Sequence, residues 1–436
     1  MPKHIVIVGG GAGGLHLATR LGRRLGRPRG HRDARAEVTL VDRDSSHIWK
    51  PLLHEAAAGT LDTGVEQLGF VAHASRNGFR YWPGEMQGLD RAEKRITLAA
   101  MNDAQGRGIL PARDLPYDIL ILAVGSSAND FGIPGVLEHT SFIDSRDQAE
   151  AFHEALRAET IRCIAGPEDR TLDIAIVGGG ATGVELSAEL NTALGLASGY
   201  GLPDLRRRLR LTLVESAPRI LGALPERVAA SAQAELQRQG VTVLTNAQVS
   251  AVEPDALMLK DGRRISATLK VWAAGIRAPA FLRDLDGLES TRNGQLVIRP
   301  TLQTTRDDAV YALGDCASLT LPGTERPLGA TAQVAQQQAV YLARALPGVL
   351  EGGVAAPFAY RHLGALVSLG QYNAYGSLGK RGLLGDGWFV QGRFAQISYA
   401  SLYRRHQLGL HGLWRSLLYW CADLLRRASR PPVRLE

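Results

Sequence analysis

The residues best suited to chemistry are glycines and acids at fixed spacings. Gly9, Gly11 and Gly14 form one GxGxxG motif, and Gly178, Gly180 and Gly183 form a second. Each follows a short apolar run, Ile5-Val6-Ile7-Val8 or Ile174-Ala175-Ile176-Val177, and opens a stretch with helical spacing. In that setting the first glycine permits a tight turn out of a strand. The second lets a pyrophosphate approach bare backbone, and the third lets a helix pack close to the sheet. The helix N-terminus then offers free N–H groups and a positive dipole end to the phosphates. An acid closing the next strand completes the site by binding ribose hydroxyls. Asp42 ends Val38-Thr39-Leu40-Val41-Asp42, and Glu215 ends Leu211-Thr212-Leu213-Val214-Glu215. Glu215 repels a 2′-phosphate and Arg219 lies four residues on, so NADH is expected over NADPH. Two different dinucleotides in one chain imply a flavoprotein that takes electrons from a nicotinamide.

The elements that must position these residues recur. Residues 4–21 and 173–190 agree at ten of eighteen positions at an offset of 169, so a strand–turn–helix unit occurs twice. The gaps from third glycine to acid are 28 and 32 residues, longer than the usual value of roughly 20. Polar insertions at 22–37 and 197–210 account for the excess. A further strand, Ala309–Leu313, ends in Gly314-Asp315. It resembles the motif of two-dinucleotide flavoproteins in which the aspartate binds the flavin ribityl chain. Tyr117–Gly125 and Leu269–Gly275 resemble the crossovers between nucleotide domains. The expected fold is α/β, with two Rossmann-like domains on the two-dinucleotide-binding flavoprotein plan and a C-terminal amphipathic helical membrane-association region. The expected boundaries are 1–125 with 284–345 for FAD, 126–283 for NADH, and 346–436 for membrane association and dimerisation.

Composition narrows the classes. The chain has 436 residues, 45% hydrophobic and 21% charged, which disfavours intrinsic disorder. Cys163, Cys316 and Cys421 contain no CxxC, so a disulfide framework, a zinc ribbon and a dithiol reductase are not expected. Cys316 stands beside Asp315 without a local resolving thiol, so packing is the better reading. No apolar stretch reaches the roughly 18–20 residues needed to cross a bilayer. The N-terminal run enters glycines with no suitable cleavage site, so a cytosolic start is expected.

The chain as a whole resembles the bacterial type II NADH dehydrogenases, non-pumping respiratory NADH:quinone oxidoreductases. The segments that carry the resemblance are VDRDSSHIWKPLLHEAAAGTLD, GGGATGVELSAEL, VWAAGIRAP, PTLQTTRDDAVYALGDCA and ISYASLYRRHQLGLHG. The resemblance implies a non-covalent FAD, a peripheral position on the cytoplasmic face of the bacterial inner membrane, and a homodimer. Hydride would pass from NADH to flavin N5 and two electrons to a membrane quinone. By the same resemblance Lys50 and Pro51 line the flavin, and Glu185 lies near nicotinamide and flavin. Within Thr331–Ala339, Gln333 and Gln337 would reach the quinone carbonyls or the flavin, their amides donating without carrying charge. Gln336 and Leu363 depart from the pattern, because close members carry histidine at the first and many carry lysine or histidine at the second. The proton donor to the reduced quinone is therefore open. Sulfide:quinone oxidoreductases share the plan but need paired cysteines. A flavin-bearing NADH sensor is the alternative from another class.

The +7 net charge is concentrated at one end. Residues 401–436 hold seven arginines against Asp423 and Glu436, a balance of +5. On a helical wheel of residues 410–427, Leu410, Leu413, Trp414, Leu417, Leu418, Trp420, Cys421, Leu424 and Leu425 share one face. His411, Arg415, Asp423, Arg426 and Arg427 lie opposite. That pattern suits a helix lying in the interface of an anionic lipid surface, or one packed on its own core or a second subunit. No recognition motif accompanies the basic tail, so nucleic acid is not expected.

Overall fold

In the computed structural model, strand Lys3–Val8 has Ile5, Val6 and Ile7 fully buried. A run buried on both faces belongs in the middle of a parallel sheet. It pairs in parallel with Ala36–Asp42 on one side and Ile119–Leu122 on the other, Val8 facing Val41 and Leu122. The structure describes residues 2–26, 34–103, 105–167, 169–199, 205–370, 374–378 and 388–429, and the chain divides into two units. The first comprises 1–49, 67–127 and 276–360; the second comprises 50–66, 128–275 and 361–436.

In the first unit the sheet has six strands, in the order 303–304, 307–312, 119–122, 3–8, 36–42, 80–83. Only the edge strand Gln303–Thr304 runs antiparallel. Helix Gly14–Leu25 packs against helix Ala332–Leu350. A three-stranded antiparallel sheet, Met86–Asp90, Arg95–Leu98 and Arg113–Pro116, is added to this unit.

The second unit repeats the theme with four parallel strands ordered 242–244, 209–214, 172–177, 269–272. Val177, Val214 and Trp272 share a core with Val252 and Leu257 of an antiparallel sheet. Helix Arg146–Ala165 begins with a capping box in which Ser145 and Gln148 satisfy each other's backbone. Helix Ala181–Gly199 buries Val184 through Leu190 without a break.

These units differ from the expected boundaries: residues 276–283 and 346–360 join the first unit, and two larger departures concern the second. Residues 50–66 join the second unit, because helix Leu53–Ala58 packs on helices Arg146–Ala165 and Ala181–Gly199. Residues 361–436 form no third unit. Strands Gly364–Ser368 and Ala374–Leu378 pack on helices Ala181–Gly199 and Glu226–Arg238. Strand Trp388–Gln391 completes that sheet, and helix Arg393–His411 covers it.

The tail is also broken where one helix was expected. Gly412 takes φ 77°, ending helix Arg393–His411, and a new helix runs Leu413–Ser429. Two of the expected membrane-face residues are used internally. Leu410 is buried in the first helix. Trp420 turns back on it, its indole N–H donating to Gln407 Oε1 at 2.7 Å under the Arg404 guanidinium. Arg404 also bonds Asp423 at 2.6 Å. What remains outward is Leu413, Trp414, Leu417, Leu418, Cys421, Leu424 and Leu425, an arc of about 140° at 100° per residue. Trp414 is 79% exposed and Leu425 73%. Arg430, Arg434 and the side chain of Arg427 lie outside the described residues. Among the described residues no helix is long and apolar enough to cross a membrane.

Candidate cofactor and substrate sites

The two glycine loops have the same construction. Gly9 (φ 104°) and Gly178 (φ 112°) are left-handed, and a Cβ there would run into the carbonyl of Ala123 or Ala273. At Gly14 and Gly183 a Cβ would strike the carbonyl oxygen of Gly9 or Gly178, so these glycines set the closeness of helix to strand. Gly11 and Gly180 differ, because no heavy atom lies within 4 Å of where a Cβ would stand. That open slot, at a helix N-terminus, is the space a pyrophosphate needs. The residues present therefore fit a dinucleotide in each unit.

The acids are latched alike despite their unequal spacing. Asp42 accepts from the Gly10 N–H and, at 2.8 Å, from the Asp44 N–H. Glu215 accepts from the Gly179 N–H at 2.6 Å and the Ala217 N–H at 2.7 Å. Burial pushes the Asp42 carboxyl above its ordinary range, while the two N–H groups pull it down. Arg219, the residue that could have welcomed a 2′-phosphate, donates to the carbonyls of Leu224 and Gly222 at 3.0 and 2.9 Å. Its guanidinium is committed to its own loop.

Elsewhere in the first unit, Gly125 (φ 70°) follows strand Ile119–Leu122, and Asp315 follows strand Asp307–Ala312. The Ser126 hydroxyl donates to Asp315 Oδ2 at 2.8 Å, which orients the carboxylate. Gln338 escaped the sequence reading. It is buried, and its Oε1 accepts from the Gly314 N–H at 2.7 Å, tying the Asp315 turn to helix Ala332–Leu350. The available signal was its position, five residues after Gln333 and so off the face that Gln333 and Gln337 share. Gln333 and Gln337 are half-buried, and Gln333 Oε1 accepts from the Tyr360 hydroxyl at 2.7 Å. Cys316 is fully buried, its thiol pushed up to about 11 by burial and bonded to backbone carbonyls. Its surroundings are those of a packed side chain.

In the second unit, Glu185 sits with only 7% of its surface exposed. The Ser368 N–H donates to Glu185 Oε1 at 3.1 Å. His54 Nδ1 lies 3.8 Å from Glu185 Oε2. Burial lowers the His54 ring to about 4, so it is neutral at pH 7 and the contact is not an ion pair. One helical turn on, Glu189 is also buried, and Thr60 donates to its Oε1 at 2.5 Å. Burial raises the Glu189 carboxyl, with the Thr60 bond opposing it. The sequence reading missed His54, Thr60 and Glu189, although the ExxxE spacing already put Glu185 and Glu189 on one helix face. Lys50 and Pro51 begin the 50–66 segment of this unit. Lys50 Nζ pairs with Asp144 Oδ1 at 3.1 Å, and the Pro51 carbonyl bonds the His54 ring. Gly275 (φ 65°) follows strand Leu269–Trp272.

Comparison with known proteins agrees with this construction. Residues 3–339 match the pyridine nucleotide-disulphide oxidoreductase family. A protein of Haemophilus influenzae named type II NADH:quinone oxidoreductase is 41% identical over the whole of both chains. One of the same name from Staphylococcus aureus is 28% identical, covering 86% of this chain and 89% of its own. Among solved structures, NDH2 from Plasmodium falciparum in complex with NADH superimposes with a TM-score of 0.83 at 19% identity, over the whole of both chains. A sulfide:quinone oxidoreductase from Aquifex aeolicus follows the same fold with a TM-score of 0.74 at 16% identity, covering 94% of this chain and 92% of that one.

Proposed function

The chain belongs to the type II NADH:quinone oxidoreductase family, and on that premise we propose that it oxidises NADH through a non-covalently held FAD and reduces a membrane quinone without pumping protons. The observation that carries the reading is the pair of complete dinucleotide cradles, each with an open second glycine and a latched acid. FAD would be held by Gly9, Gly11, Gly14 and Asp42, with Gly125, Asp315, Lys50, Pro51 and Gln333 completing its surroundings. NADH would be held by Gly178, Gly180, Gly183, Glu215 and Gly275, with Glu185 beside the nicotinamide. When bound, the flavin supplies two-electron carrier chemistry that no side chain can provide.

This chain's residues bind, orient and exclude. The two helix N-termini would offset part of the pyrophosphate charge of the bound dinucleotides. Gln333 and Gln337, one turn apart on the same helix, present amide donors suited to quinone carbonyls. Glu185 is the carboxylate assigned to the reacting end of the nicotinamide, held by the Ser368 N–H and screened from water by its burial. Gln336 and Leu363 do not titrate, so neither side chain supplies the proton to the reduced quinone.

The outward apolar face of helix Leu413–Ser429 supports attachment to an anionic lipid surface, with Leu and Trp in the acyl boundary and Arg415 and Arg426 toward headgroups. The resemblance supports a homodimer on the cytoplasmic face of the bacterial inner membrane. The deciding experiment is anaerobic reduction of the yellow protein by NADH, followed by a soluble quinone. Fast bleaching and fast recovery are expected. Bleaching without recovery would remove the quinone and favour a sensor.

A further inference from the structure

Phe131, in the second unit, combines a left-handed backbone with an exposed aromatic ring. Phe131 has φ 52°, a conformation that a bulky side chain adopts only when its surroundings impose it. It is nevertheless 59% exposed, so burial of the ring is not what repays the strain. The backbone around it is firmly tied. The Trp272 indole N–H donates to the Asn129 carbonyl at 2.8 Å, and the Asn129 N–H donates to the Gly275 carbonyl at 3.3 Å. The Phe131 N–H donates to Asn129 Oδ1 at 3.0 Å, and the Ile133 N–H to the Asp130 carbonyl at 3.0 Å. These bonds clamp the 129–133 loop to the end of strand Leu269–Trp272.

The ring lies against Gly275. A Cβ on Gly275 would stand 2.5 Å from Phe131 Cζ, so the glycine is what admits the ring. Gly275 is in turn close to the nucleotide loop. A Cβ on Gly178 would meet Ala273 O at 2.6 Å and Ala274 N at 2.8 Å. Ligands of such sheets bind outside the carboxyl ends of the strands, and that is the edge to which Phe131 is clamped.

Strand order says which half of the dinucleotide would meet the ring. Leu172–Val177, which feeds the glycine loop, lies between Leu209–Val214 and Leu269–Trp272. Glu215, the ribose-binding acid of the adenosine half, follows Leu209–Val214. Phe131 and Gly275 belong to the opposite neighbour, and a dinucleotide spread across the glycine loop puts its nicotinamide half there. We propose that Phe131 is a positioning residue for NADH, its exposed ring packing against the nicotinamide half while the adenosine half is held by Glu215. The proposal rests on the assignment of NADH to this unit.

The test compares Phe131→Asn and Phe131→Tyr with the unaltered holoenzyme. Asparagine tolerates the left-handed backbone and removes the ring, whereas tyrosine keeps the ring. Anaerobic stopped-flow bleaching of the flavin at a series of NADH concentrations gives the half-saturating NADH. Competition by AMP reports the adenosine half alone. For Phe131→Asn the half-saturating NADH is expected to rise about three- to tenfold, the range of one lost aromatic contact. AMP affinity and reoxidation by a soluble quinone should stay unchanged, and the melting temperature should not fall. Phe131→Tyr should stay within about twofold of the unaltered enzyme, consistent with conservation of the ring contact. Unchanged NADH saturation in Phe131→Asn, or an equal loss of AMP affinity, overturns the proposal. An unaltered enzyme that NADH does not bleach overturns the parent assignment instead.

Discussion

Alanine at Gly180 and alanine at Gly183 should act in opposite directions, although the two glycines are three residues apart in one motif. At Gly180 a methyl meets nothing within 4 Å and the backbone is not left-handed. The substitution removes freedom from the unfolded chain and should stabilise by about 0.4–1 kcal/mol, a rise of roughly 1–4 °C for a unit of this size. The same methyl fills the slot assigned to the pyrophosphate. Displacing two charge-assisted N–H bonds, at about 1.5–3 kcal/mol each, weakens NADH binding by roughly 100-fold or more. At Gly183 the methyl collides with the Gly178 carbonyl oxygen. Separating helix from strand costs about 1–3 kcal/mol, and the melting temperature should fall. Calorimetry of each variant, paired with NADH titration of flavin bleaching, reads both quantities. A Gly180→Ala enzyme that binds NADH within about fivefold of normal would refute the assignment of that slot. A Gly183→Ala enzyme that melts normally would refute the packing argument.

Three further outcomes follow from the same structure. His47 and His54 are buried and each lowered from 6.5 to about 4, so the unfolded chain binds more protons between those values. Their contribution is complete above pH 6.5 and is lost as pH falls toward 4, on the order of 3 kcal/mol each; His54→Asn should flatten the fall of melting temperature with acid, and an unchanged slope would count against neutral burial. Gln338→Ala leaves the half-buried Gly314 N–H without its partner and should cost about 1–3 kcal/mol while lowering FAD content measured by flavin absorbance; full flavin loading would show that the tie is dispensable. Trp414→Ala with Leu418→Glu should abolish sedimentation with anionic vesicles without changing the melting temperature. Trp420→Ala should lower the melting temperature, because its indole bonds Gln407, and the reverse pattern would invert the assignment of the two faces.

The dinucleotide sites were legible because each depends on local chemistry. A glycine that must be left-handed, a glycine that must lack a Cβ, and an acid at a strand end all leave their mark within about 40 residues. The unequal gaps of 28 and 32 residues did not matter, because the same register of parallel strands brings Asp42 to the Gly10 N–H and Glu215 to the Gly179 N–H. The C-terminal tail was legible only in part. Its periodicity announced an amphipathic helix but could not separate residues that face a neighbouring helix from those that face outward. Leu410 and Trp420 belong to the first kind, and the left-handed Gly412 divides the segment that the wheel treated as continuous.

By itself, then, the order of residues determined the α/β plan, the two cradles, the acids that close them and the apolar stripe of the tail. Each of these arises from hydrogen bonding and sterics between near neighbours, or from a repeat visible in one dimension. Tertiary structure alone decided which groups are desolvated and what they touch. Glu185 acquires the Ser368 N–H and a neutral His54, and Glu189 acquires Thr60. Gln338 acquires Gly314, and Phe131 is bent over Gly275. These pairings join residues from 24 to 183 positions apart, and the dielectric environment that sets a buried carboxyl or imidazole is a property of everything packed around it. No local pattern encodes that sum.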